Sequence, residues 1–385
     1  MFSALSARKK TEYTQKAGLP VIYNYAKHTS RRARKRALLS YITHPFLAEE
    51  RGENINRFSN SGLALSWVQV LNELGYIVDI IDWDNTHFTP DRQYDLVVFH
   101  GGKNFKNIYP CLTNKPIIIH FLTGSYWKVN NQQEDRRRAA FKRRHGMDVP
   151  RDRYIYASED EVNHVSNAII VLGDPSMKTT YPRYRSLFTI NNASYPDDHF
   201  DKALKHYPEA KRNYLFFAGS GNVHKGLDLL IDSFKDLDEH LYIVTVLDRK
   251  VLSAFRNELK LPNIHLLGEV GLRSPEFYEI MDKCAFVILP SCSEGQAGSV
   301  VEAMNQGLIP IVSKETRLDA RSYGVVLENN KIETIKQTVR RMSAFKSKEV
   351  EKMAKRVRGV ALKEHSPEKF RRDLAKAVLM ITEKT

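Results

Sequence analysis

The chain has 385 residues, 42% of them hydrophobic, and a formal net charge of +14. That length favours two domains over one, each with an ordinary core. It holds no apolar run of the roughly 18–20 residues that a membrane span needs.

The opening stretch, MFSALSARKK, has too short an apolar piece for a signal peptide, and its charges follow that piece. Cys111, Cys284 and Cys292 are scattered, show no metal-ligand spacing and suit a reducing, cytoplasmic compartment. The positive charge gathers in two runs: Arg31, Arg32, Arg34, Lys35, Arg36, and Arg136, Arg137, Arg138, Lys142, Arg143, Arg144. Neither run has interleaved aromatics, and no nucleic-acid module is visible, so no nucleic-acid partner is expected.

In chain order, residues 21–25 (VIYNY) read as a short strand and residues 37–43 (ALLSYIT) as the first strand of a main sheet. Ser61 and Gly62 open a helix, LALSWVQVLNEL, closed by Gly75. Strands follow at 76–81, 96–100 and 116–121, then a basic helix at 132–145. A strand at 168–172, a helix at 176–181 and a strand at 187–190 complete the first half. Such alternation predicts an α/β fold with a doubly wound parallel sheet. Ligands of such sheets sit beyond the carboxyl ends of strands, which draws attention to His44, Asp82, His100, Gly101, Gly102 and His120. The polar stretch 191–207, with Pro196, reads as an interdomain linker.

The pattern then restarts. Strands are expected at 214–217, 241–246 and 264–267, with helices at 227–234 and 275–282. A strand at 284–289, a loop at 291–298, a helix from about Ser299 to Gly307 and a strand at 308–312 form one βαβ unit. Residues 325–327 are a short strand and 332–342 a helix. The helical tail from 348 breaks at Ser366-Pro367, an N-cap with proline at the first helical position, which starts a last helix to about Ile381.

Two features carry chemistry. The amides of Gly298 and Ser299 open a helix, and free N–H groups with the helix dipole make an anion site suited to a diphosphate. Glu294 in the loop can face a sugar, and Glu302, one turn inside the helix, can face ribose hydroxyls. In the loop 218–226 (AGSGNVHKG), glycines let backbone amides approach a phosphate, and Lys225 adds a charge. Taken alone, both features also read as acids favouring a helix dipole and a solvated surface lysine.

Together, SEGQAGSVVEAMNQGLIPIVS, with seven residues between Glu294 and Glu302, resembles the E-x7-E donor unit of the retaining glycosyltransferases of the GT-B fold (family 4). Gly219 and the Lys225-Gly226 pair resemble that family's G-R…K-G segment, except that Ser220 stands where the family usually has arginine, leaving His224 or Arg249 to compensate. The Asn60-Ser61-Gly62 turn resembles the family's glycine-rich turn near the donor phosphates. His120 falls where the family places a histidine beside the donor sugar, with His100 as its rival.

The resemblance implies GT-B architecture: two Rossmann-like domains whose parallel sheets face a donor cleft, with the last helix crossing back to the first domain. Residues 1–195 with 366–385 would form the acceptor-side domain, and 196–365 the nucleotide-sugar domain. It implies sugar transfer from a nucleotide-diphosphate sugar to an acceptor hydroxyl on a glycan, polysaccharide or lipid-linked chain, with retention and without a metal. His120, Glu294 and Lys225 would be catalytic. Gly62, Gly219, Ser220, Lys225, Gly298, Ser299 and Glu302 would bind the donor. Three alternatives remain. One is another nucleotide-sugar enzyme of this fold, an epimerase or a phosphorylase. Another is a basic nucleic-acid- or glycan-binding protein with a decayed transferase site. The third is a metal at Asp82-Trp83-Asp84, whose D-x-D spacing suits a divalent cation. The basic runs allow peripheral contact with an anionic inner membrane or with an acidic glycan.

Overall fold

The computed structural model describes residues 11–16, 19–29, 35–53, 60–182, 186–202 and 205–383. The expectations for the opening stretch and for Arg31, Arg32 and Arg34 fall outside these residues.

Two sheets dominate. The first contains β1 (Glu12–Lys16), β2 (Leu19–Tyr25), β3 (Lys35–Tyr41), β4 (Tyr76–Asp82), β5 (Leu96–His100), β6 (Ile117–Leu122), β7 (Ala168–Leu172) and β8 (Leu187–Ile190). Their order is β1-β2-β4-β3-β5-β6-β7-β8. From β4 to β8 all neighbours are parallel. Apart from His120 inside β6 and His100 at the end of β5, the strands β5 to β7 read as apolar runs because helices or loops cover both faces of a parallel sheet.

One expectation needs correcting. The first sheet is not wholly parallel: β1 pairs antiparallel with β2, and β2 antiparallel with β4. Only residues 17 and 18 join β1 to β2. So short a link closes a hairpin and cannot make a parallel crossover.

The second sheet contains β9 (Asn213–Phe217), β10 (His240–Val244), β11 (Ile264–Gly268), β12 (Phe286–Leu289), β13 (Ile309–Ser313) and β14 (Val325–Leu327). Its order is β11-β10-β9-β12-β13-β14, parallel throughout. The winding therefore reverses between β9 and β12, the switch point where open α/β sheets bind ligands.

Each sheet has its own apolar core. Tyr214, Phe216, Ile288 and Ile311 are fully buried in the second. In the first, Leu63 and Trp67 of the Asn60–Glu73 helix pack with Phe370, Leu374 and Val378 of the final helix, Pro367–Thr382. That final helix begins as its sequence predicts, with the Ser366 hydroxyl accepting the Lys369 N–H at 3.2 Å. The chain thus crosses between the sheets along residues 191–207 and returns near residue 366.

Candidate active site

Because β9 and β12 are parallel neighbours, the loops leaving their carboxyl ends emerge side by side. The loop after β9 turns through two left-handed glycines, Gly221 (φ 94°) and Gly226 (φ 84°). Gly226 sits so close to the second loop that a Cβ would lie 2.6 Å from the Pro290 carbonyl oxygen. Only glycine allows that approach, and it delivers Lys225 to the second loop. Lys225 Nζ lies 3.2 Å from Glu294 Oε1. The Ser291 hydroxyl donates to the same oxygen at 3.0 Å. Burial would raise the Glu294 pKa, but the nearby charges of Lys225, His224 and Arg153 outweigh it and hold the carboxyl below its ordinary range.

The helix that follows spans Gly298–Asn305. Ala297 occupies its N-cap and contributes no side-chain hydrogen bond to the first-turn amides. Gly298 and Ser299 line a cavity of ≈ 480 Å³ together with Gly219, Lys225, Glu294 and Glu302. A second cavity, ≈ 560 Å³, opens on the side of the first sheet, with Trp83, His100, Tyr154 and Tyr156 in its wall. Thr123, Arg153 and Glu294 belong to both walls, so the two cavities meet there. The meeting is tight: a Cβ on Gly295 would fall 2.1 Å from the Thr123 carbonyl oxygen. The Ser125 hydroxyl donates to the Glu294 carbonyl at 2.9 Å, tying the first sheet's loop to the second's.

Of the residues singled out in the sequence, Gly219, Lys225, Glu294, Gly298, Ser299 and Glu302 surround one cavity. Three others do not reach it. His120 is fully buried, with Nδ1 2.7 Å from Asn163 Oδ1, and it lines neither cavity. The reason is register: β6 runs on to Leu122, so His120 is an interior rung facing Phe99 on one side and Ile169 on the other. Burial pushes its pKa down to about 3, so the ring is neutral. His100, at the end of β5, lines the second cavity instead. Its Nδ1 lies 2.9 Å from the Phe121 carbonyl oxygen, and burial lowers its pKa to about 4.

Gly62 is the second correction. It is buried in the first turn of its helix, while Asn60, two residues earlier, lines the cavity. Ser220 is exposed and outside the lining. Arg249 does not compensate for it, since it opens a helix away from both walls. His224 is held by the second loop, with Nε2 2.6 Å from the Ser293 carbonyl oxygen. Burial disfavours its charge, but contacts with Cys292 and Glu134 prevail and push its pKa up to about 10.

Glu302 has a structural task that spacing could not reveal. Arg273 donates to its Oε1 at 2.9 and 3.1 Å, and the Ser194 hydroxyl donates to Oε2. Arg273 also donates to the Tyr195 carbonyl and lies 3.5 Å from Asp197. Glu302 therefore fastens the interdomain segment to the second sheet while still lining the cavity.

Asp82 of the D-x-D triplet is likewise engaged. Its carboxyl accepts the Thr43 N–H at 2.9 Å and the Thr43 hydroxyl at 2.5 Å, fixing the turn after β3. Asp84 faces Lys103 at 3.9 Å. Among the described residues no group of three or more His, Cys, Asp or Glu could hold a metal ion.

The basic helix, Trp127–His145, keeps an exposed face that includes Arg136 and Arg143, while several of its other cations are engaged by the protein. Buried Arg137 donates to the Pro290 carbonyl at 3.0 Å. Arg144 pairs with Asp228 and, at 3.1 Å, with Asp232. Arg138 pairs with Asp148 at 3.0 Å, and Lys142 lies 3.7 Å from the same residue. The helix is a strut from the first sheet to the second. Arg153, Thr123 and Asn192 were not legible as site residues, because each enters a wall through tertiary placement.

Residues 212–344, which hold the second sheet, match the family described as Glycosyl transferases group 1. The described residues together have the GT-B fold. Sucrose-phosphate synthase from Thermosynechococcus elongatus superposes with a TM-score of 0.61 at 12% identity, covering 91% of this chain and 100% of the other. HepE from Anabaena, solved with UDP and glucose, gives 0.55 at 12% identity over 90% of this chain and 99% of its own. An uncharacterized glycosyltransferase of Methanocaldococcus jannaschii is 33% identical over 99 residues, 26% of this chain. The match spans only 28% of that relative's length.

Proposed function

We propose that this chain transfers a sugar from a nucleoside-diphosphate sugar to an acceptor hydroxyl. The observation that carries the reading is the junction of the two cavities. On one side stand a lysine, glycine-rich backbone and a helix N-terminus, the chemistry of a diphosphate site. On the other stands an aromatic-walled pocket, the chemistry of a sugar-bearing acceptor. Glu294 belongs to both.

Breaking the sugar–diphosphate bond builds negative charge on the leaving phosphate. Lys225 and the amides of Gly298 and Ser299 are placed to stabilise it without a metal. Glu294, kept ionised, orients sugar hydroxyls and favours the positive charge that develops at the anomeric carbon. His120, neutral and sealed in the core, has no part in this reading, and His100 takes the place at the acceptor wall. Transfer proceeds with retention, a reading supported by the E-x7-E resemblance. The functional split follows the two sheets, at about residue 195, with the final helix belonging to the first.

The acceptor is a glycan or a lipid-linked chain. Arg136, Arg137 and Arg143 of the basic helix have no carboxylate within ion-pair distance among the described residues, and Arg137 is buried against the Pro290 carbonyl. That leaves Arg136 and Arg143 exposed, which favours a soluble glycan over a membrane-borne one. No helix among the described residues is long and apolar enough to cross a membrane.

The test is a panel of UDP-, GDP- and ADP-sugars, read as donor hydrolysis with and without EDTA, with UDP-glucose first. Turnover that survives chelation is expected. Loss restored by Mn²⁺ contradicts the metal-free part, and no turnover of any donor contradicts the whole. The anomeric coupling of the product, by NMR, tests retention. Anionic vesicles at low salt are expected to leave the protein in the supernatant.

A further inference from the structure

We propose that Arg153 is the second cation of the diphosphate site, supplied by the first sheet's side of the cleft; the inference rests on the nucleotide-sugar reading above. Charge balance raises the need for it. Lys225, the cation already in the wall, is paired with Glu294 at 3.2 Å. Arg273 is taken by Glu302 and Asp197. Lys103, in the second wall, faces Asp84 at 3.9 Å. Among the described residues the Arg153 guanidinium has no carboxylate within ion-pair distance, although it stands close enough to Glu294 to help depress that carboxyl. A planar, permanently charged fork without an acidic partner is suited to grip phosphate oxygens two at a time.

The position is built. Buried Glu134 accepts the N–H of Asp152 at 2.7 Å and of Arg153 at 2.9 Å through one oxygen. Asn130 donates to the Arg153 carbonyl at 2.8 Å. Asn131 exchanges two hydrogen bonds with the backbone of Ile155, at 2.8 and 2.9 Å. Asp152 accepts the Gly221 N–H at 3.0 Å, locking this loop onto the glycine turn after β9. Gly221 makes room for the arginine itself: a Cβ there would lie 2.8 Å from Arg153 Cγ. The stem of Arg153 is thus laid across the phosphate-side loop at Gly221, next in sequence to uncharged Ser220, and the residue lines both cavities. One residue would then sense the donor's charged group and the acceptor pocket together.

Calorimetric titration of UDP, GDP, ADP and the matching nucleosides tests this, using wild type, Arg153→Ala, Arg153→Lys and the double variant Arg153→Ala/Ser220→Arg. Arg153→Ala should weaken the bound diphosphate about ten- to a hundredfold and leave nucleoside affinity unchanged. Lysine should recover part of the loss. The double variant, which restores a guanidinium from the opposite loop, should recover most of it. Diphosphate binding in wild type that Arg153→Ala leaves unchanged overturns the assignment alone. So does equal weakening of nucleoside and diphosphate with no rescue, the mark of a purely structural residue. A wild-type chain that binds none of the three diphosphates overturns the nucleotide-sugar reading and this inference with it.

Discussion

The surroundings of Glu294 and Glu302 make an instructive contrast. Both acids are largely shielded, both touch a cation, and they stand in one motif with seven residues between them. Glu294 lies among Lys225, His224 and Arg153, whose charges overcome burial and keep it ionised. For Glu302, burial comes first and neighbouring Asp197 adds to it, so the pKa is raised despite Arg273 and Ser194. Repeated residue type therefore does not mean repeated role. One acid faces a junction of cavities, while the other divides itself between a cavity wall and the fastening of the chain crossing.

Removing a partner from each side should separate the roles. Lys225→Ala should lower kcat by about 10²–10³-fold, since its charge matters most as the diphosphate leaves, with little change in nucleoside affinity. Saturating-donor kinetics check this, and an unchanged kcat would erase the contrast. Glu302→Ala should instead cost about 3 kcal/mol of stability, because it leaves Arg273 and Asp197 in a broken, mostly buried network. Urea unfolding measures that loss. A donor affinity reduced about tenfold should accompany it, as Glu302 also lines the cavity.

Acid titration sharpens the comparison further. Glu294 is depressed, so its contribution is present above the ordinary carboxylate pKa of 4.5 and is lost as pH falls through the lower native value. Glu302 is raised, so the native state takes up its proton first, and acidification just above pH 4.5 favours folding. Glu294→Gln should flatten the acid limb of a stability–pH curve, and Glu302→Gln should remove a gain that precedes it. Denaturant midpoints from pH 3 to 7 would show it. The smallest effect belongs to Arg136 and Arg143 on the strut helix. Their substitution by serine should leave stability within about 0.5 kcal/mol and turnover unchanged, by the same two assays.

How much of this was legible follows from contiguity. Strand, loop and helix from Phe286 to Asn305 are consecutive in sequence, so the switch-point chemistry could be read directly. The opposite wall is assembled from Thr123, Arg153 and Asn192, which follow different elements and meet only in the folded chain. The His120 expectation failed by two residues of strand length: with β6 ending at Leu122, the loop at Thr123 took the place at the cavity. The basic helix was legible only in part for a related reason. A run of cations looks the same in sequence whether solvent or buried aspartates answer it, and Asp228 and Asp232 lie far along the chain.

The returning final helix has a consequence for biosynthesis. The apolar stripe bearing Leu63 and Trp67 is made before the second sheet, but Phe370, Leu374 and Val378, which cover it, are made after that sheet. Domains generally fold as units during synthesis, the N-terminal one first. Here the first core cannot close until residues 367–382 have left the ribosome. A nascent chain stalled before Pro367 should present that stripe to chaperones, while the second sheet, complete by residue 327, can already have formed.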